Sequence, residues 1–141
     1  PGGAMIRKET RRRVRALQLL HALDAGPDLG ADAAYRGLAR LTGPEPGVLD
    51  EARALVDGVL AHRDKVDELT RNATENWRIE RIATIERNIL RIAIHELLEG
   101  VTPPRVAIDE AIWMAQRFGG ARAPAFINGV LDRVARDLGV L

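Results

Sequence analysis

The segment from Ala83 to Leu98 constrains the fold more than any other. Ile85, Ile89, Leu90, Ile92, Ala93, Ile94, Leu97 and Leu98 leave almost no face of a helix polar. A helix apolar around most of its circumference has to be surrounded by other elements, so this one is expected at the centre. Every candidate neighbour is itself helical. Thr10 to Ala25 carries Val14, Leu17, Leu20 and His21 at three- and four-residue spacing, and Asp32 to Leu41 carries Ala34, Leu38 and Leu41. A third stretch begins near Val48 with Leu49, Ala52, Val56, Val59 and Leu60 and continues through Val66 and Leu69. Pro103-Pro104 opens a helix with Ile108, Ala111, Ile112, Ala115 and Phe118, stopped by Gly119-Gly120, and the last helix carries Ile127, Val130, Leu131, Val134 and Leu138. Gly26-Pro27 and the run Thr42-Gly43-Pro44-Glu45-Pro46-Gly47 break the chain between the first three helices. The pattern lapses around Asn72 to Arg78, where Trp77 starts a new segment after a bend. No stretch alternates as a strand and no fixed period repeats, so the expected class is all-α and not a solenoid.

Composition removes whole classes of function. A chain of 141 residues buries one sizeable core. Cysteine is absent, which excludes disulfides, thiolate zinc sites and cysteine nucleophiles. No apolar run approaches the roughly 20 residues that span a bilayer, and a cytoplasmic protein is expected, with no membrane partner. His95 and Glu96 are adjacent and diverge by about 100° on a helix, and His21 and His62 lack ligand neighbours, so no metal and no cofactor is expected. No nucleophile elbow, glycine-rich phosphate loop or paired catalytic carboxylates occur, so the chain is not expected to be an enzyme. Pro1 to Ala4 precede Met5 and read as an expression remnant outside the fold.

Net charge is only +1, yet its distribution is lopsided. Between Ile6 and Arg15, Arg7, Lys8, Arg11, Arg12, Arg13 and Arg15 stand against the single Glu9, while the rest of the chain is slightly acidic. On a helix, Arg7, Arg11 and Arg15 line up at four-residue spacing beside a strip of Lys8, Arg12 and Arg15. Stacking like charges at this spacing costs a few tenths of a kcal/mol per pair, a cost that binding a polyanion offsets. Arginine suits phosphate because its planar fork donates two parallel hydrogen bonds and also stacks on bases. The plain alternative is a solvated N-terminal tail.

Two further groups stand out. Glu86, Arg87, Arg91, His95 and Glu96 interrupt the central helix, either as a buried ion-pair network or as a polar strip for docking another protein. The loop Gly119 to Pro124, with Arg122, leads into Phe126 and Asn128. An aromatic beside an arginine can stack a single-stranded base, whereas by pattern alone Phe126 is a core residue and Asn128 a buried anchor.

The C-terminal half reads Ile85-Glu86-Arg87-Asn88-Ile89-Leu90-Arg91-Ile92-Ala93, His95-Glu96-Leu97-Leu98, Pro104-Arg105-Val106-Ala107-Ile108-Asp109-Glu110-Ala111, Arg117-Phe118-Gly119-Gly120 and Phe126-Ile127-Asn128-Gly129-Val130-Leu131-Asp132. With the arginine-rich start followed by Ala16-Leu17-Gln18, this order and spacing resembles the NusB family from Arg7 to Leu138. The resemblance implies two small helical bundles packed together, about seven helices in all, with an N-terminal part near residues 5–72 and a C-terminal part near 77–141. It also implies a transcription antitermination factor for ribosomal RNA operons, which binds boxA RNA together with NusE, a small-subunit ribosomal protein, within the transcription elongation complex. The family's RNA contacts would fall on Arg7, Lys8, Arg11, Arg12, Arg13, Arg15, His21, Arg122 and Phe126, and the NusE-facing surface on Glu86, Arg87 and Arg91.

The chain departs from the family in places. His21 stands where many relatives carry Tyr, and Arg122 and Ala125 fall where some carry an acidic residue and a lysine. Two other readings stay open: the NusB-like domain of a ribosomal RNA methyltransferase, and an interaction module whose homodimer buries its RNA face.

Overall fold

A computed structural model describes residues 6–26, 28–43, 45, 47–75 and 79–141. Seven α-helices and one short 3-10 helix occur among them: α1 Lys8–Ala25, α2 Ala31–Thr42, α3 Val48–Ala61, α4 Arg63–Ala73, the 3-10 helix Ile79–Arg81, α5 Thr84–Glu99, α6 Pro104–Phe118 and α7 Ala123–Asp137. Among the described residues there is no strand, and no helix is long and apolar enough to cross a membrane. The all-α expectation therefore holds. The chain forms two compact units that divide between Asp57 and Gly58, inside α3, whereas the apolar pattern lapses later in the sequence. Pro1 to Ala4, Pro27, Pro44, Pro46 and Trp77 lie outside the described residues.

In the first unit, α1 packs on α2. Ala16, Leu17, Leu19 and Leu20 of α1, Ala34 of α2 and Val48, Leu49, Ala52 and Val56 of α3 are buried. Polar contacts join α2 to α3: the Tyr35 hydroxyl donates to Asp50 at 2.6 Å, and Arg53 lies over the Tyr35 ring while pairing with Asp32. Leu41 was expected on the apolar face of α2, yet it is 86% exposed. It occupies the last turn, and helical period says nothing about whether a neighbour extends far enough to cover that turn.

The second unit is organised around α5, which packs on α4, α6 and α7. All ten residues from Asn88 to Leu97 are buried, as a helix apolar on most faces requires. Each fully buried Ile or Leu contributes about 1.5–3 kcal/mol relative to exposure. Pro104 starts α6 at its first position, where its missing N–H costs nothing. Gly119 ends it because α7 begins too close for a side chain: a Cβ there would meet the Ala123 Cβ at 2.5 Å and the Ala115 carbonyl oxygen at 2.9 Å.

The third helix does not run through to Leu69. It stops at His62 (φ −110°, ψ 17°), whose N–H is shared between the carbonyls of Gly58 and Val59, and α4 restarts at Arg63. A one-residue break leaves Val59 and Val66 seven apart, so the apolar spacing runs on across it. The break sets the His62 ring against His95 of α5, stacked at 5.8 Å between centroids and 21° between planes. Gly58 makes room for that ring, since a Cβ there would lie 2.6 Å from His95 Nε2. Burial depresses the His95 pKa; Glu99 opposes this, His62 adds to it and Glu96 opposes it. The neutral ring's contribution to stability is therefore present above the ordinary value of 6.5 and is lost as pH falls through the depressed one.

Substituting Gly58 by Ala tests this packing. In most helices the change gains about 0.5–1 kcal/mol. Here the clash with His95 makes it destabilising by about 1–3 kcal/mol, and in a His95→Ala background the same substitution becomes stabilising. Urea unfolding midpoints of the four proteins in the double-mutant cycle measure the coupling.

Candidate nucleic-acid interface

Six cations at the start of one helix carry an electrostatic cost. The helix N-terminus bears a partial positive charge, so each neighbouring cation is disfavoured by about 0.3–1 kcal/mol, and only Glu9 lies in the first turn to offset it. The structure disposes of these charges in three ways. Lys8 Nζ reaches Glu51 Oε2 at 2.9 Å, and Arg12 Nη1 reaches the other oxygen of the same carboxylate at 3.6 Å. Arg15 donates through Nε and Nη2 to one oxygen of Glu45, at 3.0 and 2.7 Å, and through Nη1 to Gln18 at 2.8 Å. Arg13 turns inward: it is 3% exposed, with Nη1 on the Glu9 carbonyl at 3.4 Å.

The remaining surface is narrower than the sequence implied. Arg7, Lys8 and Arg11 are exposed, and Arg12 and Arg15 are half-buried. Among the described residues, Arg11 has no ion-pair partner. Helical period places Arg7, Arg11, Gln18 and His21 on one stripe, and all four are exposed. From Arg11 to His21 that stripe runs about 15 Å, at a rise of about 1.5 Å per residue. Hydrogen bonding to Lys8 holds the Glu51 carboxyl below its usual range; desolvation opposes this, and the charges of Lys8 and Arg12 reinforce it. Glu45 and Glu51 lie 30 or more residues from the cations they neutralise, and nothing in their local sequence marks them for that role.

A second candidate patch lies at the start of α7. Arg122 is exposed at the helix N-cap, and Phe126, one turn on, is half-buried. Phe126, Ala125, Gly129 and Val130 line a shallow groove of about 470 Å³ with Ala73, Thr74 and Glu75 from the end of α4. Phe126 is thus neither a core residue nor a fully exposed ring. Asn128 is exposed and is not a buried anchor.

The residues expected to face a protein partner divide. Glu86 and Arg87, near the start of α5, are half-buried and partly accessible. Arg91 is 8% exposed and bidentate to Asp67 of α4, with Nε to Oδ1 at 3.0 Å and Nη2 to Oδ2 at 2.9 Å, and it also reaches Asn88 Oδ1 at 3.4 Å. Its charge is consumed inside the second unit, as the ion-pair alternative would have it. Sequence reading passed over Trp113 and Arg117 on α6, whose four-residue spacing was the available signal.

Comparison with known proteins places these features in context. A family model described as the NusB family matches residues 10–136. The transcription antitermination protein NusB of Anaeromyxobacter sp. (strain Fw109-5) is 41% identical over 134 residues, covering 95% of this chain and 94% of that protein. That of Myxococcus xanthus (strain DK1622) is 40% identical over 127 residues, covering 87% and 91%. Among solved structures, T. maritima NusB superposes with a TM-score of 0.83 at 29% identity, covering 95% of this chain and 94% of its own. A complex of antitermination factors NusB and NusE with dsRNA contains a chain that matches with a TM-score of 0.83 at 21% identity, covering 94% and 99%, a likeness of fold alone.

Replacing Glu51 by Gln removes the carboxylate that Lys8 and Arg12 share. Because an exposed ion pair is worth about 0–1 kcal/mol, the variant is expected to bind a polyanion such as heparin about 2–5-fold more tightly at low salt, with a steeper loss of affinity as salt rises. Fluorescence anisotropy over a series of salt concentrations reads both effects.

Proposed function

The chain belongs to the NusB family, and from that premise we propose that it is a transcription antitermination protein that binds a boxA-type RNA of ribosomal RNA operons jointly with NusE, as part of the elongation complex. The observation that carries this reading is the exposed Arg11, which has no ion-pair partner among the described residues and lies near a helix start where positive charge is disfavoured, on a stripe that runs from Arg7 to His21. A phosphate backbone relieves that repulsion and accepts the arginine fork. The namesake proteins NusB and NusE occur together with RNA in a solved complex of the same fold.

In this reading Arg7, Lys8 and Arg11 make the first contacts with phosphate, Arg12 and Arg15 supply the flank, and His21 offers a hydrogen bond at the far end of the stripe. Arg13 supports the helix from inside. Arg122 and Phe126 form a second RNA contact, where a base stacks at the mouth of the groove. Glu86 and Arg87 receive NusE, while Arg91 holds the α5 surface in place through Asp67. The role is one of binding, without a catalytic step, and it is exercised in the cytoplasm, where transcription takes place.

Two measurements test the assignment. Arg11→Ala is expected to reduce the slope of log affinity against log salt for single-stranded boxA RNA by about 0.7, the contribution of one phosphate contact. An unchanged slope would remove Arg11 from the interface. Glu86→Arg is expected to weaken NusE binding at least about tenfold in calorimetric titration while the helical circular dichroism stays intact, since like charge or a lost charge-assisted hydrogen bond costs 1.5 kcal/mol or more. Wild-type affinity for NusE would reject that face.

A further inference from the structure

At the C-terminal end of α6, Trp113, Arg117 and Phe118 form a corner that neither the core nor the assigned surfaces use. Arg117 Cζ lies 3.9 Å above the centroid of the Trp113 ring, and the Trp113 and Phe118 rings meet edge to face at 6.5 Å and 76°. Arg117 is exposed, Trp113 is half-buried and Phe118 is 43% exposed. We propose that this corner is a stacking platform for the bases of single-stranded RNA flanking the boxA-type element, with the Arg117 guanidinium also reaching a phosphate. The proposal rests on the RNA-binding reading above and extends it to a new contact.

The treatment of charge on neighbouring helices supports the assignment. On α7, Arg133 and Arg136 each pair with an aspartate one turn away, at 3.1 and 2.9 Å, so their charges are neutralised within the helix. Arg117 has no carboxylate partner among the described residues; an indole holds it instead. Stacking fixes the plane of the guanidinium without consuming its N–H donors, so it loses less freedom when an external acceptor arrives. A guanidinium over an aromatic ring, with a second ring edge-on beside it, offers π faces on which any base can lie, each worth a sequence-tolerant stacking interaction.

The surroundings favour nucleic acid over a protein partner. The four residues that follow, Gly119 to Arg122, contain no acid and end in exposed Arg122, one turn from Phe126. The corner therefore joins the proposed second RNA contact through a short loop of small residues, and positive charge marks both sides of it. The plainer account, a cation–π pair that favours the last helical turn, explains Arg117 and Trp113 but leaves an exposed Phe118 seated against them without a use.

The test uses a Trp77→Phe protein, in which Trp113 is the sole tryptophan. It is titrated with boxA RNA alone and with the same RNA extended by about six uridines at each end. The extended RNA is expected to quench Trp113 emission and bind about tenfold more tightly than the short one. Arg117→Ala should abolish that gain while leaving affinity for the short RNA unchanged. Trp113→Phe, which keeps an aromatic face, should retain the gain, and circular dichroism checks each fold. Unquenched emission with bound extended RNA, or an unaltered gain in Arg117→Ala, overturns the platform and leaves the α1 contact standing. Failure of both RNAs to bind, with or without NusE, overturns the platform together with the RNA-binding reading. Loss of NusE affinity alone in Arg117→Ala makes the corner a protein dock and overturns the proposal.

Discussion

Burying α5 on every side is the condition that the second unit has to satisfy. Apolar side chains meet it readily, but the helix also takes Asn88, Arg91, His95 and Glu96 out of water. A buried charge left without its partner costs about 3–5 kcal/mol, so Arg91 dictates where Asp67, and with it α4, must lie. His95 makes a different demand. Its ring needs a flat neighbour and an absent side chain, which His62, at the break that ends α3, and Gly58, one turn before it, supply. The boundary between α3 and α4 is thus a consequence of packing against α5.

The first unit answers an electrostatic constraint. A helix with Arg7 at its N-cap and four arginines and a lysine among its first eight positions repels itself and opposes its own dipole. Glu45 and Glu51, brought in from beyond α2, take up three of those charges, and a fourth goes inward. What faces water afterwards is a selected set, spaced along one stripe, rather than a diffuse cloud of cations. Selection of this kind converts a nonspecific attraction for anions into a surface with a direction.

Much of this was legible in the sequence, for physical reasons that also explain what was not. The boundaries of α5, α6 and α7 were readable because Pro104 and Pro124 fall in first turns, where proline fits a helix, because Gly100 and Gly119 follow last turns, and because Ile108, Ala111 and Ala115 repeat at helical spacing. The stop at His62 was invisible because it preserves the apolar spacing around it. Arg13 passed as a surface residue because residue type predicts burial only on average, and its place in the core depends on what lies over α1. The carboxylates that pair with α1 could not be named without the fold. For the same reason Leu41 and Phe118 were expected inside: periodicity identifies a face but not the reach of whatever covers it.

The carboxylate seated between Lys8 and Arg12 acts as a counterion tethered to the protein. In the proposed complex a phosphate would have to displace this carboxylate before it could take Lys8 or Arg12, whereas Arg11 would be met without an exchange. Cations condensed on the RNA would leave in either case, so each contact would weaken with salt, and what the carboxylate changes is the strength of the grip, lowered by the ion pair given up. Part of the charge on this basic helix is thus held in reserve, released only to an anion that outcompetes one already attached to the protein.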